Sequence, residues 1–200
     1  MSLRTLVLLM LVAGVLLGRY GVRRLEIARE RAVVADLAEF GADVQFHEGR
    51  VTQVSFSGRR FRNEALAAAA RLPRLERIVL IDTPVDDAGL SHLSDLDQLR
   101  ELSVIDAPVT DAGLAHLAGL TNLRRLRLDH TRITDAGLSH LVRLTKLERL
   151  DLIGTRITDA GLPALASLTR LEQVYLNGAD VTDDGVRMLN ARLPGAEISH

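Results

Sequence analysis

The sequence predicts an α/β fold, a right-handed solenoid in which short parallel strands line a concave face and short helices a convex one. Three observations predict it. Leu75, Leu99, Leu123, Leu147 and Leu171 recur at a step of 24, and Gly89, Gly113, Gly137, Gly161 and Gly185 keep the same step, which is the mark of a stacked repeat. Within the unit 123–146, Leu123, Leu126 and Leu128 have strand-like spacing, whereas Leu138, Leu141 and Leu144 share one helix face. Finally, 47% of the 200 residues are hydrophobic but only 3% are aromatic, so the core must be layers of Leu, Ile and Val.

The helix start is written into each unit. Thr134 is placed as the N-cap, Asp135 favours the positive helix end, and Ile133 with Leu138 form a hydrophobic staple. The same capping role is expected along the row Asp87, Asp111, Asp135, Asp159 and Asp183, in preference to calcium binding. Gly137 is expected where a side chain would crowd the neighbouring rung, since Gly otherwise costs about 1 kcal/mol against Ala in a helix interior. Thr83, Thr131 and Thr155 are expected to bond turn backbone groups, in a row that Ala107 and Ala179 interrupt.

The spacing L-x-x-L-x-L, with Leu123, Leu126, Leu128, Thr131, Ile133, Thr134, Asp135, Ala136, Gly137 and Leu138 in one unit, resembles the cysteine-containing subtype of leucine-rich repeat, with Thr in place of Cys or Asn. The whole chain resembles the membrane-anchored repeat proteins of planctomycete-type bacteria, which open with a Ser-Leu-Arg-Thr-Leu stretch, here Ser2 to Leu6, before an apolar helix, a basic helix and a short run of repeats. The resemblance implies a leucine-rich repeat solenoid and carries almost no implication about activity.

Three segments are expected. Residues 1–22 form an N-terminal membrane anchor or signal segment. The uninterrupted apolar run Leu6 to Gly18 covers roughly 20 Å as a helix, against a ~30 Å hydrocarbon layer, and extension from Leu3 to Val22 nearly closes the gap. Leu16 and Leu17 before Gly18 do not make a small-residue cleavage site, which favours an uncleaved single-pass anchor. Arg19, Arg23, Arg24, Arg29 and Arg31 outnumber Arg4, which leans the following domain towards the cytoplasm; the short run also leaves an extracytoplasmic domain open.

Residues 23–50 are expected to hold a basic helix to Phe40 with Gly41 at its C-terminus, then the start of a hairpin of Ala42–Phe46 and Val51–Phe56 around His47 to Arg50 that covers the open end of the stack. The basic half of the helix has two open readings, contact with anionic lipid or a solvated face. Residues 51–200 form the repeat domain. Its first unit, Val51 to Arg74, is degenerate, with Phe61, Arg62, Asn63, Glu64, Ala65 and Leu66 replacing the motif. Five regular units follow, and Glu197, Ile198 and Ser199 add a last strand.

Function is sought where the units differ. The strand positions that face away from the core form one row of Gln53, Arg77, Glu101, Arg125, Arg149 and Gln173, and a second of Ser55, Val79, Ser103, Arg127, Asp151 and Tyr175. A third row holds Ser57, Ile81, Ile105, Asp129, Ile153 and Asn177. Arg77, Glu101, Arg125, Arg127, Arg149, Asp151 and Tyr175 are the candidate binding residues for a protein or peptide partner. The alternative is a structural envelope component that acts by packing or self-association.

Other chemistries find little support. The chain has no Cys, so disulfides and thiolate sites are excluded. No nucleophile stands beside a base in a recognisable pattern, and no enzyme activity, cofactor, metal or small-molecule substrate is expected. His92, His116 and His140 recur on the convex side, but helices on adjacent rungs are ~8–10 Å apart, too far for several imidazoles to share one ion. Nucleic acid is not expected either. Arg124, Arg125, Arg127, Arg132 and Arg143 cluster, yet the formal net charge is -1 and stacking aromatics are missing.

Overall fold

The computed structural model describes residues 26–200. The expected anchor at 1–22 lies outside them, and no helix among the described residues is long and apolar enough to cross a membrane. Helix α1 occupies the described residues 26–39. It is followed by the hairpin of β1 (Asp43–His47) and β2 (Arg50–Ser57), whose turn uses left-handed Glu48 and Gly49. Then come α2 (Glu64–Ala69), β3 (Arg77–Ile81), α3 (Asp87–Ser91), β4 (Glu101–Ile105), α4 (Asp111–Leu117), β5 (Arg125–Arg127) and α5 (Asp135–Leu138). The chain ends with β6 (Arg149–Asp151), β7 (Gln173–Tyr175), α6 (Asp183–Arg192) and β8 (Glu197–Ser199).

The eight strands of the described residues form one sheet in chain order. Only β1 is antiparallel to its neighbour; every later pair is parallel and in register, so Arg77 faces Glu101 and Arg125 faces Arg149. At about 4.8 Å per strand, the parallel part of the sheet spans roughly 30 Å.

The leucine period is a packing period. Leu75, Leu99, Leu123 and Leu147 are fully buried, as are the strand residues Ile78, Leu102, Leu126 and Leu150 and the helix residues Leu90, Leu114 and Leu138. Each aliphatic side chain so buried contributes about 1.5–3 kcal/mol, and each layer is completed only by the layers beside it. The N-terminal end is closed differently. Phe56 and Phe61 meet edge-to-face at 5.2 Å, and Val33 and Leu37 of α1 join the same core. Arg50 fixes α1 from the hairpin side, with Nη1 2.8 Å from Glu26 and Nε 3.0 Å from the buried Glu30. The hydrogen bond to Glu26, opposed by burial, raises the Arg50 pKa.

The helix side is irregular in the middle of the stack, and α6 restores a full helix after it. After α5 the chain tightens into a 3-10 turn at Ser139–Leu141, and the next unit has only the 3-10 helix Leu162–Ser167. Pro163 in its first turn has no N–H to donate to a helical ladder.

After each of β2 to β7 the chain turns through one left-handed residue: Gly58, Asp82, Asp106, His130, Gly154 and Gly178. Glycine takes this conformation without steric cost, and Asp and His are among the side chains that tolerate it best. Five of these turn amides donate to a carbonyl of the next rung, as in Asp106 to Asp129 and Gly154 to Asn177.

The threonines cap the helices as expected. Thr110 and Thr134 accept from the amides of Ala112 and Ala136. The aspartates do something that their place in the sequence does not suggest. Asp87, Asp111 and Asp135 stand in the first turn of their own helices as expected, and each also reaches forward one rung: the Thr110 amide and hydroxyl donate to Asp87 at 2.8 and 2.6 Å. Asp111–Thr134, Asp135–Thr158 and Asp159–Thr182 repeat the double link. The motif glycines leave the room: a Cβ on Gly113 would lie 2.5 Å from Asp87 Oδ1 and 2.9 Å from Val109. Thr131 and Thr155 donate their hydroxyls to the carbonyls of Leu128 and Leu152, both at 2.7 Å.

Candidate functional site

The in-register sheet turns the sequence rows into real columns. Gln53, Arg77, Glu101, Arg125, Arg149 and Gln173 stand side by side across β2 to β7, and Ser55, Val79, Ser103, Arg127, Asp151 and Tyr175 form the column beside them. Their side chains point away from the leucine core because strand residues alternate between faces. Ile81 and Ile105 pair at the ends of β3 and β4, whereas Asp129, Ile153 and Asn177 lie just beyond the shorter strands.

All seven candidate residues therefore lie on one face, and they are tied into two groups. Glu101 bridges two rungs, with Oε2 2.7 Å from Arg77 Nε and Oε1 3.1 Å from Arg125 Nη1. Asp151 takes a two-pronged grip from Arg149, Nε and Nη2 each donating at 2.9 Å. Arg127 Nε lies 3.0 Å from the same carboxylate, within ion-pair range but without its N–H aimed at an acceptor. Arg149 also donates to Gln173 at 3.2 Å, and its guanidinium carbon sits 4.5 Å from the centre of the Tyr175 ring, a cation–π distance. Its pKa is raised, chiefly by the hydrogen bond to Asp151 and against the effect of burial.

Asp129 and Gln173 belong to this network although neither was among the candidates. Asp129 accepts from Arg127 Nη2 at 3.0 Å and from the backbone amide of Ile153 at 3.1 Å. The signal for Gln173 was its place one period after Arg149. For Asp129 it was its place in the third outward row, at the end of its strand.

The charges are layered. The side chains of Asp151 and Asp129 are 1% and 5% exposed, while those of Arg125, Arg127 and Arg149 are 56%, 42% and 35% exposed. With Arg77 and Glu101 included, four guanidiniums cover three carboxylates. On this part of the face each guanidinium is more exposed than the carboxylate it pairs with.

No comparable arrangement stands on the helix side of the described residues. Among the described residues, no group of three or more His, Asp or Glu is placed to hold a metal ion. Asp87, Asp111, Asp135 and Asp159 are engaged by the threonines of the next rung.

One parallel strand per 24-residue unit, a helical or 3-10 return, and a leucine-layered core define a leucine-rich repeat solenoid. A family model described as "Leucine Rich repeat" matches residues 119–142 and 143–166. Among solved structures, the chain is similar to an internalin (inlF) of Listeria monocytogenes, with a TM-score of 0.50 and 20% identity over 72% of this chain and 46% of that one. It is also similar to internalin C2 of the same organism, with a TM-score of 0.53 and 20% identity over 76% and 81%. The chain thus spans less than half of the first internalin, and at this identity both likenesses show the fold alone. No curated protein matches.

Proposed function

We propose that this chain is a membrane-anchored leucine-rich repeat scaffold that holds a protein partner on the strand face of its sheet, through Arg77, Glu101, Arg125, Arg127, Arg149, Asp151 and Tyr175. The observation that carries the reading is the contrast between the two sides of each rung. On the helix side the recurring polar groups are spent on holding rungs together, as in the Asp111–Thr134 link. On the strand face the side chains differ from rung to rung, and the arginines keep a third or more of their surface in water.

A repeat framework that packs identically while one face varies is built to present a recognition surface, and solenoids offer such surfaces to proteins. Leucine-rich repeat scaffolds are generally non-enzymatic. A small molecule fits poorly. The hollow at the N-terminal end of the strand face holds about 240 Å³ and is lined by Gln45, Thr52, Gln53, Glu76, Arg77, Arg100 and Glu101, whereas ligand pockets are mostly apolar. Membrane attachment is supported by the apolar run from Leu6 to Gly18, and a cytoplasmic domain by the arginines that follow it.

Site-specific photocrosslinking in intact cells tests the face. A photoreactive residue at Ser103 should capture a discrete protein, whereas one at Ala115 on the helix side should not. Equal capture at both positions, or at neither, overturns the assignment; capture of the protein by itself would favour self-association. Protease digestion of intact and opened cells tests the side of the membrane, and cleavage of the repeat domain in intact cells would rule out the cytoplasmic placement.

A further inference from the structure

We propose that the partner segment bound on the strand face is acidic and extended, with carboxylates that meet Arg125 and Arg127 and a branched aliphatic side chain that seats on Val79, Ile81 and Ile105. This rests on the reading of the strand face as a protein-binding surface and adds the chemistry of what it binds.

An accounting of donors and acceptors gives the sign of the partner. Both oxygens of Glu101, Asp129 and Asp151 are already engaged, by Arg77 and Arg125, by Arg127 and the Ile153 amide, and by Arg149. The arginines are not exhausted. A guanidinium carries five N–H donors, and Arg125 pairs through Nη1 to Glu101 alone, while Arg77 pairs through Nε to the same carboxylate. Within this network what is left over is donors and one net positive charge, while the exposed Asp82 and Asp106 stand beyond it in the turns after β3 and β4. A complementary segment must bring acceptors, and carboxylates make the stronger, charge-assisted bonds.

The guanidiniums are also held in place before any partner arrives. Buried Asp151 and Asp129 grip Arg127 and Arg149 from below, and the Tyr175 ring supports Arg149 from the side. Holding long side chains in the bound arrangement removes part of the ordering cost of association.

The apolar half sits next to this cationic half. Ile81 is 42% exposed, unusual for a large aliphatic residue in a strand, and it pairs in register with half-buried Ile105. Ser103 separates Val79 from Arg127 in the adjoining column and leaves a low point between the two halves. Ile105 lies one rung and two strand residues from Arg127, a diagonal of about 8 Å from a ~4.8 Å rung and ~3.3 Å per residue. Side chains two apart in an extended segment share a face and are separated by about 7 Å, so an acidic residue followed two positions later by an aliphatic one fits.

The test uses the full chain in detergent and a labelled octapeptide, Glu-Ser-Leu-Ser-Glu-Ser-Leu-Ser, whose Glu and Leu alternate along one face of an extended segment, with binding read by fluorescence anisotropy. The expected result is saturable binding that weakens at least tenfold between 50 and 300 mM salt, is lost when Gln replaces every Glu, and falls severalfold when Ser replaces every Leu. Arg125→Gln, which removes one exposed guanidinium, should weaken it about tenfold, and Ile81→Ser severalfold, with urea midpoints close to the parent's. Binding that ignores salt or survives the Gln peptide overturns the proposal, as does an oligothymidylate of equal charge that binds as well. If the peptide fails while a photoreactive residue at Ser103 still captures a protein, the partner's chemistry is wrong and the binding face stands. If Ser103 captures nothing, the face itself is wrong.

Discussion

Asp111 and Thr134 are joined twice across adjacent rungs, the threonine amide donating to Oδ1 at 2.8 Å and the hydroxyl to Oδ2 at 2.6 Å. Both bonds are to an ionised acceptor, and bonds to charged groups contribute about 1.5–3 kcal/mol. Asp111→Ala should therefore lower unfolding stability by about 2 kcal/mol in urea titrations. In a double-mutant cycle with Thr134→Ala, the coupling should be about 1 kcal/mol or more; a coupling near zero would mean that the aspartate serves only its own helix.

The neighbouring glycine should show opposite effects in two backgrounds. A Cβ on Gly137 would run into the carboxylate of Asp111 and come within 3.2 Å of Ile133. Ala in place of Gly gains about 1 kcal/mol of helix propensity, which is less than the link it would displace. Gly137→Ala should thus destabilise the parent protein, yet become neutral or stabilising in the Asp111→Ala background. The same sign in both backgrounds would show that the carboxylate is not what keeps glycine there.

Acid should loosen the last link. Asp159 has its pKa lowered, chiefly by the hydrogen bond from the Thr182 hydroxyl and then by that from the Thr182 amide. A carboxyl whose folded pKa lies below its unfolded value contributes stability that is fully present above the unfolded pKa, about 3.9 for Asp. That contribution is lost as pH falls through the folded value. Unfolding midpoints measured from pH 5 downwards should drop less steeply for Asp159→Asn than for the parent, with the difference confined to the region below about pH 4. Parallel profiles would remove Asp159 from the acid response.

The first junction carries the opposite chemistry. Where later rungs place Asp against Thr, Asn63 Nδ2 donates to Asp86 Oδ1 at 2.7 Å, and Asp86 in turn accepts from the Gly89 amide at 3.0 Å. Asn63→Asp would set two carboxylates against each other and should cost about 1–2 kcal/mol at neutral pH, with partial recovery in acid. Adding Asp86→Thr recreates the pair used by later rungs and should restore the parent midpoint. A double variant no better than Asn63→Asp would place the requirement for Asn elsewhere.

The periodic part of this architecture could be read almost residue by residue, because a repeat makes each buried leucine predict the next. The face columns were equally legible: once strands pair in register at a fixed period, Arg77, Glu101 and Arg125 must be neighbours. The forward reach of Asp87 and its equivalents was not. A sequence shows Asp beside Thr at a helix start and suggests a local role, whereas the hydrogen-bond partner lies 23 positions on. Burial within the face was also hidden. Asp151 occupies an outward strand position, and only the arginines folded over it put it out of reach of water. The 3-10 return at Leu162–Ser167 was foreshadowed by Pro163 alone.

The Asp-to-Thr link has a direction, a carboxylate plug leaving one unit and a threonine socket receiving it in the next. Asp183 continues the series, and its plug is taken by His200 at 2.8 Å. Units from the second junction onward share one coupling and are interchangeable: a gene duplication or deletion of a whole number of periods between Asp87 and Thr182 rejoins matching ends. The Asn63–Asp86 joint is keyed differently, so the end cap accepts only the unit that bears Asp86. Such a chain can change its length, and with it the extent of its strand face, without redesigning either end.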